Sequence, residues 1–275
     1  MGRTTATSIA VQQLVNATGG TADVDVKDLK GQMAFILNAK SSNGTNPTDT
    51  VKLQHSNLAD GASQVVVGAT ENELRDGTDS NIKFAAAFTQ SGARQIKKVL
   101  IPLKKNGAVA SGNLTLTIEA DSSGDPSGTP LGTATFSTDN LPTTGYEYVT
   151  FEFATPIEVA DATTYHVVLA GAYSVSATVN VTWRSKTVAS GGNLSYFDSG
   201  WAQTATEDLE FIVREYNFAD VTGGAYTQAT STASMQVINL NIDDLGRYMR
   251  AYNTIGGTSS PAFYMSVAAY GYTEN

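Results

Sequence analysis

The chain has 275 residues, with 26 acidic against 17 basic side chains and a formal net charge of −9. Binding to a phosphate backbone depends on Lys and Arg clusters that release counterions, so this acidic balance argues against a nucleic-acid partner. The absence of cysteine and the presence of only two histidines, His55 and His166, exclude disulfide frameworks, thiolate zinc sites and iron–sulfur clusters.

The opening residues, MGRTTATSIAV, hold no apolar stretch of signal-peptide length, and no window of the chain approaches a membrane span. Synthesis in a cytoplasm and no membrane partner are expected. The arm from Met1 to Ser8 is polar and Thr-rich, a composition expected to become ordered only on assembly. From Gly31 onward the chain reads as a strand (GQMAFILNAK), a polar turn and a second strand (VKLQHS) that stops at Ser56 without a partner. Further on, Lys97-Lys98 and Lys104-Lys105 flank Val99–Leu103 and read as the solvated ends of one strand. Leu114, Leu116, Ile118 and Ala120 alternate with Asn113, Thr115, Thr117 and Glu119, which places the apolar set on one face of a half-buried strand. Val149, Phe151 and Phe153 repeat that pattern, as do Tyr165, Val167 and Leu169. Trp183 alternates with Val179 and Val181 and is expected in the core. Near the C-terminus, Met235-Val237 and Ile238-Leu240-Ile242 alternate with a one-residue slip, and a β-bulge between Val237 and Ile238 would keep both sets inside. Asp243-Asp244-Leu245-Gly246 reads as a single helical turn. No long helical periodicity occurs, and 25 glycines with turn pairs such as Gly19-Gly20 and Gly256-Gly257 favour an all-β chain of two sandwiches.

The strand that ends at Ser56 finds its natural continuation near Phe218, so a second domain reads as spliced into one loop of the first. Joined across that gap, VKLQHS, FADVTGGAYTQ and LNIDDLGRYMRAYNTIGGTSSPAFYMSV resemble a family of small tailed-bacteriophage virion proteins found among head and decoration genes. The likeness covers most of 31–56 and 217–270, and Leu-Gly-Arg-Tyr-Met-Arg is its most specific part. The intervening FTQSGARQIKKVLIPLKKNG, LTLTIEADSSGDPSGTPLGT, YEYVTFEFATPIEVADATTYHVVLAG and NVTWRSKT, about 90–214, are similar to the jelly-roll modules called choice-of-anchor domains, which look like carbohydrate-binding sandwiches. The expected organisation is a discontinuous outer β-sandwich, 1–67 and 217–275, carrying an inserted jelly-roll-like domain, 68–216. These resemblances imply a non-enzymatic virion structural protein, a capsid decoration, cement or head-spike protein that docks on the major capsid protein, displays the inserted domain outward and forms homo-oligomers. The alternative they imply is a tail or receptor-binding component that grips a host surface glycan.

Candidate sites follow the same division. In the segment Gly191–Trp201, Tyr196, Asp198 and Trp201 combine flat rings with a carboxylate, the chemistry of sugar stacking and hydroxyl recognition. The loop Asp121–Gly128 offers Asp121 and Asp125 as oxygen ligands for a structural calcium, though it lacks the acidic count and terminal Glu of an EF-hand and reads first as an ordinary turn rich in Asp, Pro and Gly. Arg247, Tyr248 and Arg250, in the most recognisable segment, are candidates for a capsid or self-interface. Arg247 and Arg250 are three apart in a presumed strand, so one is expected to pack inward on a carboxylate and the other to face out. No nucleophile elbow, zinc-protease helix motif or phosphate loop occurs, His55 and His166 fall in different domains, and Glu207, Asp208 and Glu210 read as a solvated edge rather than a glycosidase pair. No enzyme is expected.

Overall fold

The computed structural model describes residues 3–65, 70–74, 82–172, 179–188 and 191–273. Among them the chain is nearly all strand, and η1 (Thr138–Asn140) is a single 3-10 turn. In chain order the first strands are β1 (Arg3–Val15), β2 (Gly19–Gly20), β3 (Val24–Asp25) and β4 (Gln32–Ser56). There follow β5 (Leu58–Gln64), β6 (Thr70–Leu74), β7 (Lys83–Thr89), β8 (Arg94–Asn106), β9 (Asn113–Ser122), β10 (Asp125–Ser137), β11 (Glu147–Val159) and β12 (Thr164–Ala172). Then come β13 (Asn180–Thr187), β14 (Leu194–Phe197), β15 (Trp201–Thr204), β16 (Glu207–Leu209) and β17 (Phe211–Tyr216), and finally β18 (Ala219–Ala225), β19 (Ser234–Asn241) and β20 (Tyr248–Thr273). They form two compact units, one of Met1–Leu58 with Asn217–Asn275 and one of Ala59–Tyr216. The division falls at Leu58 rather than at 67, because β5 leaves the first unit and pairs with β17 in the second.

In the discontinuous unit, β4 and β20 pair antiparallel from Tyr248↔Ser56 to Tyr270↔Ala34, with register shifts confined to Gly256–Phe263. There the polar stretch SSNGTNPTD runs beside GGTSSP, and Gly44, Asn46, Gly257, Ser259 and Ser260 all take positive φ. A Cβ on Gly257 would lie 2.8 Å from the Asn46 carbonyl, so glycine permits the close approach. The two-stranded ribbon folds back on itself at this point. Asn253 and Met265, on opposite halves of β20, consequently touch, with Nδ2 3.3 Å from Sδ. One core gathers Phe35, Leu37, Phe263 and Val267 from one half of the ribbon with Val51, Leu53, Met249 and Ala251 from the other. The first layer is completed by β1 and β19, the second by β2, β3 and β18. The polar turn read in the sequence is thus a bend inside two continuous strands.

Two local expectations are corrected here. β19 pairs with β4 in unbroken register from Ser234↔Ala39 to Asn241↔Gln32, so no bulge separates Val237 from Ile238. Strict alternation then turns Ile238 and Leu240 inward and leaves Met235 74% and Val237 52% exposed. Asp243–Gly246 is a turn closed by the Leu245 amide donating to the Ile242 carbonyl, 3.0 Å, and not a helical one. Of the N-terminal arm, Arg3–Ser8 is part of β1 and pairs with β20 from Arg3↔Thr273 onward within the same chain, and Met1 and Gly2 lie outside the described residues.

The splice closes as the sequence suggested. Ala219 faces His55 and Asp220 faces Gln54, the Asn217 amide donates to Ser56 Oγ at 3.0 Å, and the Asp220 carboxylate accepts from Lys52 Nζ (2.6 Å) and Gln54 Nε2 (2.8 Å).

The inserted unit is an antiparallel sandwich. One sheet runs β10-β9-β12-β7-β14-β15; the other runs β16-β13-β8-β17-β5, with β11 also on β8 and β6 on β13. The alternation read in the sequence holds: Leu114, Leu116, Ile118, Val167 and Leu169 of the first sheet meet Val99, Ile101, Phe151, Phe153 and Trp183 of the second in one core. Ring contacts cross the layers between Phe88 and Phe211 (5.8 Å) and between Phe136 and Phe151 (5.8 Å). Trp183 is fully buried and its Nε1–H donates to the Glu210 carbonyl at 2.7 Å, which satisfies its one polar group.

Candidate functional site

Alternation along four neighbouring strands builds an exposed apolar face on the discontinuous unit. Side chains opposite the core-facing set include Val237 and Met235 on β19, Ile36 on β4, and Tyr264 and Tyr270 on β20. Cross-strand pairing brings Val237 and Ala268 to either side of Ile36, and Leu14 of β1 beside Tyr264. A depression of about 450 Å³ opens at one end, lined by Gln12, Asn38, Lys40, Met235, Tyr264 and Ser266. Exposed apolar patches of this kind mark interaction surfaces. Sequence reasoning missed the face because Met235 and Val237 were assigned to the core. Between them, Gln236 accepts through Oε1 from the Thr227 N–H (2.7 Å) and donates through Nε2 to the Thr227 carbonyl (2.8 Å).

Of the proposed interface residues, Arg247 precedes β20, is exposed, and binds the Asp25 carboxylate through Nε (3.0 Å) and Nη2 (2.6 Å). That pairing holds the Asp25 carboxyl below its ordinary range. Tyr248 is half-buried, its ring 5.4 Å from the Arg247 guanidinium. Arg250 is 8% exposed; its Nε donates to Gln54 Oε1 (2.9 Å) and its guanidinium lies 4.1 Å from the Phe218 ring centre. It also covers Gly20, where an added Cβ would sit 2.7 Å from the guanidinium carbon. One correction follows: Arg250 is covered within its own unit and offers no surface, whereas the exposed Arg247 pairs with the Asp25 carboxylate. Arg250→Ala is therefore expected to cost about 2–3 kcal/mol through a lost buried hydrogen bond and ring contact, whereas Arg247→Ala costs below about 1 kcal/mol. Urea unfolding of the two variants checks this, and equal losses would contradict it.

The sugar-site trio is divided by its hairpin. Phe197 pairs with Trp201 and Tyr196 with Ala202. Tyr196 accordingly packs against the core, while Phe197 and Trp201 stack edge-on at 5.3 Å on the opposite face, with Lys83 Nζ 5.2 Å from the Phe197 ring. Asp198 is exposed at the tip. The calcium candidates sit on the β9–β10 hairpin. Asp121 Oδ1 is 2.9 Å from His166 Nε2, and Oδ2 accepts from the Gly124 amide (3.1 Å); the histidine bond holds the Asp121 carboxyl below its ordinary range. Asp125 Oδ1 accepts from Gln203 Nε2 (3.3 Å). Among the described residues no three His, Asp or Glu side chains converge as a metal-holding set.

The other titratable side chains singled out in the sequence make hydrogen bonds and ion pairs within the fold. His55 Nδ1 accepts from the Gly246 amide (2.8 Å), and His166 is fully buried beside Asp121. Glu207 accepts from Ser185 Oγ (2.9 Å), and Asp208 accepts from the Asn193 amide (3.0 Å). Glu210, 1% exposed, is gripped by Arg184 through Nε (2.6 Å) and Nη2 (2.9 Å) and by the Tyr148 hydroxyl, whose own pKa burial pushes up to about 12. Of the basic pairs, Lys98 binds Glu152 (2.9 Å) and Lys104 binds Glu71 (2.7 Å).

No family model and no curated protein matches the chain. Among solved structures, the T13 viral particle of infectious bursal disease virus aligns at 8% identity with a TM-score of 0.27, covering 100% of this chain and 78% of that one. The VP2 subviral particle of the same virus aligns at 7% identity with a TM-score of 0.25, covering 100% and 80%. No helix among the described residues is long and apolar enough to cross a membrane.

Proposed function

We propose that the chain is a non-enzymatic structural component of a virion, a head decoration or spike protein of the tailed-phage type. Its discontinuous unit docks on a neighbouring capsid subunit, and the inserted sandwich rides on it as a spliced module. The observation that carries the docking role is the apolar face of Leu14, Met235, Val237, Tyr264 and Tyr270, spread over four adjacent strands that are rigidly held by the core beneath. The tailed-phage assignment rests on the sequence resemblance of the same unit, VKLQHS through LGRYMR. Adhesion through such a face stabilises a particle by mass action on the assembled state. The chemistry-bearing side chains, bound into structural pairs, favour this reading over catalysis.

Gold-labelled antibody against the chain, applied to purified particles from a producing culture, tests the reading. Label on heads is expected, and Val237→Lys, at an already exposed position, should reduce that label while leaving the purified protein folded. Label confined to tails would transfer the protein to receptor binding, with the Phe197–Trp201 face as the first place to look for a glycan. Particles without label would remove the virion role.

A further inference from the structure

The edge of β1 is the other unpartnered feature of the discontinuous unit. β1 pairs with β20 along one side only, and among the described residues its other side meets no strand. From Thr4 to Val15 the strand carries no charge, proline or glycine. Natural sheets guard such edges with lysine, proline, short length or bulges, because a row of free N–H and C=O groups recruits another strand. Here the guards are incomplete. Register shifts occur after Ser8 and around Ala10, but Arg3–Ser8 runs against β20 without interruption.

We propose that two copies of this chain pair through β1, antiparallel across a two-fold axis lying within Ala6–Ser8. The argument for a second copy, rather than some other strand, is electrostatic. In homotypic antiparallel pairing each side chain near the axis meets itself or a close neighbour, so any charge there opposes its own sign. With a net charge of −9, two copies repel in general, and an uncharged edge is where that repulsion opposes their approach least. β1 is such a place, and the outward face beside it, through Ser266, Ala268 and Tyr270, is uncharged as well. Pairing would continue the first layer from one copy into the next and join their apolar faces into one surface. The inference does not depend on the virion reading, since it concerns the purified chain alone.

Sedimentation equilibrium and crosslinking of the full chain test it. The wild type should approach twice 28.9 kDa as concentration rises. Ala6→Lys and Ser8→Lys, both at exposed positions, should weaken dimerisation by about tenfold or more through like-charge opposition, while Ser8→Thr retains it. Because the chain has no cysteine, single substitutions to Cys report geometry directly. Symmetric disulfides should peak sharply within Ala6–Ser8 and be absent at Leu14, whose two copies would stand tens of ångströms apart at about 3.3 Å per residue. A monomer at every concentration overturns the proposal. So does a dimer untouched by the lysine variants, or one that crosslinks through Val237→Cys and not through β1, which would place the contact on the face.

Discussion

Trp183→Ala is expected to destabilise the inserted unit by about 3–5 kcal/mol, the range for removing a fully buried large aromatic side chain. The indole fills the space between the two sheets with no exposure, and its loss also strips the Glu210 carbonyl of its N–H donor. Since a domain of this kind has only about 5–15 kcal/mol in total, that loss is enough to melt it early. The discontinuous unit has its own core, built from a separate set of side chains, so its melting should not move. Trp201, the remaining tryptophan, lies in the inserted unit and reports its unfolding by fluorescence, while hydrogen exchange of peptides from β4 and β20 follows the other. A common transition lost by both together would show that the units share one cooperative core.

Asp49→Asn should produce the largest effect in the discontinuous unit, and one that depends on pH. Asp49 is fully buried on β4; among the described residues Oδ1 has no partner, and Oδ2 has the Asn253 amide at 3.5 Å. Burial raises its pKa from the ordinary 3.8 to about 6. Folding therefore favours the protonated acid. The stability this provides is complete below about pH 4, falls as pH rises through 6, and is gone at neutral pH. At about 1.4 kcal/mol per pH unit the difference amounts to ~3 kcal/mol. An asparagine keeps an oxygen toward Asn253 without ever carrying the charge. Relative to Asp49→Asn, the wild type should thus lose ~3 kcal/mol between pH 4 and pH 7.5. Asp25 and Asp220, whose paired carboxyls are held low and weaken only in more acid solution, are common to both proteins and cancel. The same gap between the two proteins at both pH values would show that Asp49 is charged and solvated in the fold.

What the sequence determined by itself was the class of structure and the splice. Alternation at Leu114–Ile118, Val149–Phe153 and Tyr165–Leu169 assigned strands and their inner faces correctly, because a period of two is a local property of extended backbone. The hairpin between Ser56 and Phe218 was legible because its two sides carry the pairing residues themselves, Gln54 and His55 against Asp220 and Ala219. Tertiary structure alone decided the rest. A period of two separates two faces but does not say which one meets a core, so Met235 and Val237 could be placed only once β4 set the register of β19. Nor does it show a ribbon folding over itself: Asn253 meets Met265, and Asp49 is sealed in, only because β4 and β20 bend together at Asn46 and Gly257. Tyr196 and Trp201, adjacent in a promising loop, part to opposite faces once their hairpin register is set. The free edge of β1 is likewise a fact about neighbours, and the residues of a strand do not record which of its sides has been left without one.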